Sequence, residues 1–312
     1  MKTVIKNKFV EFNFIVFPIW IALIYLPLSH YIDNKELLFF LALLIFGETH
    51  FASTFLFYFD KKNKNYINQN HGLFIYIPLF IVIVYLIIGI FNLKTAVILG
   101  AAASGIHVTR QSIGIQRIYG EARNNFYEYL VYFSSFVFLI IGFYRFYLEE
   151  LLNLINLNVN LIDIQQTNYK IFFVVFLFFL SLLGLFEKTN IKKKLSNLTG
   201  ILIYSPYLFV NNMYDAIIIG VGAHWCQYLA INYKLYFFKE KYDFKKFLVI
   251  LFIFAYASIM ASLGFAFDFD NIFNYLILIP LCGQFFHYYV DMYIWRFSDT
   301  FIRTTIGSKL FS

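Results

Sequence analysis

The sequence predicts an all-α, polytopic integral membrane protein, a helical bundle of about ten transmembrane helices forming one domain over residues 1–312. Three observations carry that prediction. The chain is 61% hydrophobic and only 14% charged, whereas a soluble domain is roughly 45–50% apolar and about 25% charged. Apolar windows of roughly 20 residues, the length that crosses a hydrocarbon core, recur along the whole chain. Lysine and arginine gather in alternate connections between those windows, which is the charge bias of cytoplasmic loops.

The windows follow in order. The first, residues 14–32, comes after a lysine-rich start and lacks a small-residue cleavage site, so it reads as a retained helix. Windows at 37–59, 73–91, 95–117 and 126–148 succeed it. Residues 149–168 mix Leu and Ile with Asn and Asp, and read as a short amphipathic piece along the outer interface. Windows at 169–186, 197–213, 215–238, 247–267 and 272–296 complete the set. The seventh is the weakest, being short and holding Pro206.

Charge tests that weak member. Twenty of the 25 basic residues fall on the side that holds the N-terminus, and only Lys35, Lys94, Arg145 and Lys170 fall opposite. Ten crossings with both termini in the cytoplasm follow, and the expected location is the bacterial inner (cytoplasmic) membrane. Reversing the chain after the seventh window would export the lysines between 234 and 246. The net charge of +7 is spread over short clusters rather than one stripe, so no nucleic-acid partner is expected. Cys226 and Cys282 both lie inside windows, which argues against a disulfide framework and for packing roles.

Four histidines stand out: His50, His107, His224 and His287, one in each of the second, fourth, eighth and tenth windows. All four windows run from outside to cytoplasm, so depths compare directly. Each histidine precedes the first charged residue at its cytoplasmic end by nine or ten positions, about 15 Å of helix and close to the midplane. A small residue lies one turn before each: Gly47, Ala103 with Ser104, Gly220 and Gly283. Side chains lean toward the helix N-terminus, so space for a cavity is expected just outside the histidine layer. Polar residues follow at i+3 or i+4, the positions that share a face: Ser53 and Thr54, Arg110 and Gln111, Gln227, and Asp291.

A lone membrane histidine is as often a hydrogen-bonded packing residue as a ligand. Four at one depth, with only His30 and His71 elsewhere, make metal binding the leading account, because ionisable groups at this depth are costly. His287 and Asp291 form the sharpest pair, Asp291 being a further ligand or an orienter of a ligating imidazole. Glu48 is two residues before His50 and faces nearly the opposite way, so any role is with another helix. Arg110 reads equally as an anchor for an anionic substrate group or as an ion-pair partner of Glu48 or Asp291. Arg110, Gln111, Gln227, Gly220 and Gly283 are the candidates for the substrate and oxygen pocket.

Imidazoles suit iron, copper and zinc, and a nearby carboxylate tilts the choice toward non-haem iron, with one or two ions. The HxxxH and HxxHH clusters of membrane desaturases are absent. Haem held by two histidines is the alternative cofactor.

Phe286-His287-Tyr288-Tyr289-Val290-Asp291, with weaker echoes in Gly47-Glu48-Thr49-His50-Phe51 and Gly105-Ile106-His107, resembles the bacterial Brp/Blh type of membrane β-carotene 15,15'-dioxygenase. The chain lacks that family's early Pro-His-Gly motif and the paired histidines of its third cluster, where His224 stands singly. The resemblance implies an all-helical fold, iron held by dispersed histidines and oxidative cleavage of a carotenoid. The expected function is therefore an iron-dependent oxygenase taking O2 and a lipid-soluble isoprenoid, carotenoid or acyl-chain substrate from the bilayer, with an electron donor if the reaction is a monooxygenation. A transporter or proton-relay protein using the same His and Asp residues, or a bis-histidine haem redox protein, is the alternative.

Overall fold

The computed structural model describes residues 4–5, 7–18, 20–119, 125–146, 190–210, 212–237, 244–265 and 272–311. Among them every regular element is helical, as the composition and spacing predict. The sixth window and the amphipathic piece before it lie outside the described residues.

The principal helices are α1 (Trp20–Tyr31), α2 (Lys35–Ser53), α3 (Phe55–Phe59), α4 (Lys61–Gln69), α5 (Gly72–Phe91), α6 (Leu93–Tyr119), α7 (Asn125–Phe146), α8 (Ile191–Leu202), α9 (Met213–Tyr236), α10 (Phe244–Phe265) and α11 (Leu278–Ile294). Side-chain caps start several of them. Asn34 accepts from the Leu37 amide ahead of α2, and Asp60 from the Lys62 amide ahead of α4, each satisfying an amide that the first turn leaves orphaned.

Among the described residues, three helices are long and apolar enough to cross a membrane: α2, α5 and α10. The number rises to four if residues Lys8–Val16 and α1, bent by 67° between them, count as one span. Only 22% of the α5 span and 11% of the α10 span are buried, as suits faces turned to lipid. Helices α6 and α9 are longer, at 27 and 24 residues, but carry the His, Gln, Asn and Arg residues that lower their hydropathy. The seventh window is not one helix. Helix α8 ends at Leu202, a turn follows, and Pro206–Phe209 makes a single further turn, because proline blocks continuation of the preceding helix.

By contact the chain falls into two compact units. The first takes in Asn7–Asp33 and Val108–His224, the second Asn34–His107 and Trp225–Ser312. In the first unit Ile113, Val131 and Ile201 form a buried apolar cluster, and Gly220 meets the backbone carbonyl of Ile203. In the second, Tyr85, Ala96, Leu278 and Cys282 pack together, with the Tyr85 hydroxyl donating to the Ala96 carbonyl at 2.7 Å. Both cysteines are free and buried.

Candidate metal centre

On α11 the i, i+4 spacing places His287 and Asp291 on one face, and the structure sets His287 Nε2 3.8 Å from Asp291 Oδ2. Helix α6 brings His107 to the same point. Its Nε2 is 3.1 Å from His287 Nε2 and 4.0 Å from Asp291 Oδ2. His287 and Asp291 are buried and His107 is half-buried. Two imidazole nitrogens and one carboxylate oxygen thus converge closely enough that they could hold a metal ion. Ligands held about 2.1 Å from an ion stand about 3.0 Å apart at right angles and about 3.4 Å apart in a tetrahedron; the imidazole pair matches the first, and the two imidazole–carboxylate spacings are wider than either.

His50 reaches this cluster from α2, just after a π-helical turn at Leu43–Gly47. Such a turn adds a residue to the coil and rotates the next side chains about the helix axis. The His50 ring, fully buried, has its centroid 4.4 Å from that of His287 and 6.3 Å from that of His107. Gly47 lets the Trp225 indole come within 3.3 Å of where a Cβ would stand. Three of the four histidines picked out by sequence are therefore brought together within the second unit. His224 is buried on α9 as the last residue of the first unit, one turn before Tyr228.

Hydrogen bonds hold the cluster from behind. Thr54, in the break between α2 and α3, puts its Oγ1 2.5 Å from His287 Nδ1 and 3.2 Å from the Tyr228 hydroxyl. Tyr228 donates to Asp291 Oδ1 at 2.5 Å. Asn232, one turn beyond Tyr228, donates to Ser53 Oγ at 2.9 Å, and Ser53 donates to the His50 carbonyl at 2.7 Å. The Tyr288 ring stacks on His107, centroids 4.6 Å apart, and Phe51 lies edge-on to His287.

Sequence reasoning passes over Tyr228 and Asn232. The signal was present, since Tyr228 and Asn232 follow His224 at i+4 and i+8, but tyrosine is so common here that a stripe of it reads as packing.

The remaining candidates are placed as follows. Glu48 is buried, close enough to the phenols of Tyr256 and Tyr288 to act on them electrostatically, and is not among the three converging donors. Gln227 is buried in the second unit; Arg110, which is exposed, and Gln111, half-buried, belong to the first. Gly220 corrects the expectation of space one turn outward, for the Ile203 carbonyl stands where its Cβ would be, whereas Gly283, close to the Tyr256 hydroxyl, lines an apolar groove. Here the glycines serve close helix approach.

An apolar groove of about 430 Å³ does open on α11, lined by Phe55, Leu79, Tyr256, Met260, Gly283 and Phe286 among others. Its lining on α11 includes Gly283, one turn before His287 and on the same face of the helix.

No family model, no curated protein and no solved structure matches this chain.

Proposed function

We propose that the chain is a membrane-embedded, non-haem iron oxygenase acting on a lipid-soluble substrate. The observation that carries this reading is the convergence of His107 Nε2, His287 Nε2 and Asp291 Oδ2. Two imidazoles and one carboxylate leaving positions open is the donor set of iron(II) oxygenases. His50 stands beside it, and His224 is the fourth histidine of the set that the sequence proposes.

When bound, iron supplies the activation of O2. The protein's own residues position the ion, keep it dry and admit substrate. Tyr288 and Phe51 cover the imidazoles, and the groove between α5, α10 and α11 takes an isoprenoid, carotenoid or acyl chain laterally from the bilayer. Ten crossings with both termini cytoplasmic, in a bacterial inner membrane, remain the topology we propose, with α6 and α9 as interior spans shielded by protein. The resemblance of residues 286–291 to the carotene dioxygenases supports the iron-oxygenase class more than any one substrate.

Haem fits poorly. Axial imidazoles on opposite sides of an iron stand about 4 Å apart with a macrocycle between them, whereas His107 and His287 are at 3.1 Å with Tyr288 stacked on one of them. A metal-free reading rests on the same distance, which also suits a direct N–H···N bond in a proton-relaying pair.

Metal analysis of detergent-purified protein separates these readings. One or two irons per chain without a Soret band is the expected result, followed by O2 uptake on addition of a carotenoid. A Soret band means haem. No bound metal after loading with iron(II) overturns the oxygenase and leaves the proton relay.

A further inference from the structure

Resting on the metal reading above, we infer that Thr54 and Tyr228 form a proton-ordered relay that holds His287 in the tautomer with a bare Nε2 turned toward the metal position. They are positioning residues.

The direction of each bond follows from counting protons. An ionised carboxylate can only accept, so at 2.5 Å the Tyr228 hydroxyl donates to Asp291 Oδ1. Its single proton being committed, the Tyr228 oxygen can only accept. Thr54, at 3.2 Å, therefore donates to it, and Asn232 hydrogen-bonds to the same phenol. Thr54 has then used its one proton, so the 2.5 Å contact with His287 Nδ1 requires that nitrogen to carry the hydrogen. Neutral imidazole has one N–H, which leaves Nε2 with its lone pair.

That lone pair faces His107 Nε2 and Asp291 Oδ2. The chain closes a loop, because Asp291 is one helical turn beyond His287 on α11. One carboxylate thereby contributes Oδ2 to the metal and, through two hydroxyls, sets the tautomer of the neighbouring ligand. Partners of this kind typically change metal affinity 10–100-fold when lost.

The test uses full-length protein in detergent, titrated with cobalt(II) as a visible-absorbing probe. Thr54→Val and Tyr228→Phe each delete one hydroxyl at nearly constant shape. Each is expected to weaken cobalt binding 10–100-fold and to shift its visible absorption, while Thr54→Ser keeps both within about twofold of the unmodified protein. Because the relay is serial, the double variant Thr54→Val/Tyr228→Phe should lose no more than the weaker-binding single variant. Unchanged affinity and spectrum in both single variants, multiplied losses in the double, or a Thr54→Ser variant as impaired as Thr54→Val would each overturn the relay. Failure of the unmodified protein to bind cobalt at all would instead overturn the metal reading on which the relay rests. Equal melting temperatures of the metal-free variants show that the effect is on ligation.

Discussion

The two units bury carboxylates in opposite ways. In the first, Glu11 is wholly buried but pairs with Lys192 and accepts from the Tyr119 hydroxyl at 3.2 Å. Glu128 takes a bidentate grip from Arg117 at 2.6 and 2.7 Å. In the second, Asp291 has imidazoles and a phenol as its neighbours. A charge paired with lysine or arginine is neutralised within the protein and serves packing. A carboxylate set beside imidazole nitrogens can offer negative charge to a cation from outside. Burial of an acid is thus a poor guide to function, and the identity of its neighbours is a good one.

The largest effect expected to test that contrast is at the metal. Asp291→Asn should reduce bound iron at least ~100-fold, as should His107→Ala or His287→Ala, when metal is measured per chain. Glu11→Gln should leave iron content unchanged, and loss of iron there would erase the distinction between the units. His50→Ala and His224→Ala sharpen it further: retention of iron in either variant removes that residue from the ligand set.

Stability is the next largest effect. Glu11→Ala strands Lys192, whose partner is fully buried, and should cost about 3 kcal/mol, seen as a lower melting temperature in detergent with metal content intact. Gly283→Leu forces a side chain against the Tyr256 hydroxyl and should cost about 1–3 kcal/mol by spreading α10 and α11. An unperturbed melting temperature would show that this contact yields freely.

The smallest effect concerns the C-terminal segment. Tyr66 stacks on Phe301 with centroids 4.2 Å apart and donates to Asp299 at 2.9 Å. Partial burial, then the Asp299 bond and charge, push its phenol up to about 12 from 10.0. The folded state therefore holds the proton more tightly than the unfolded one. Stability from this contact is complete below pH 10 and declines as pH rises toward 12. Limited proteolysis of the segment should increase over that window, and Tyr66→Phe should remove the pH dependence.

Helicity, the abundance of apolar segments and the pairing of His287 with Asp291 were legible because each depends on local spacing. His287 and Asp291 share a face by the 3.6-residue period, wherever α11 goes. The break in the seventh window was legible too, since Pro206 acts on its own backbone. The filled gap at Gly220 was not, because a missing side chain marks only an opportunity for close approach and says nothing about which neighbour takes it. Tyr228 escaped for a related reason, being one phenol among 25 until its hydroxyl is seen between Thr54 and Asp291.

Four histidines in apolar segments can be read from residue order alone, and so can the type of chemistry their donors permit. Which of them meet, at what distance and with which hydroxyls behind them depends on how helices rotate and cross. Those angles are set by the summed packing of many side chains far apart in sequence. The π-helical turn before His50 and the break at Thr54 show how small that margin is. A shift of one residue in either would turn His50 or Thr54 away from His287, with no change in the local sequence pattern to announce it.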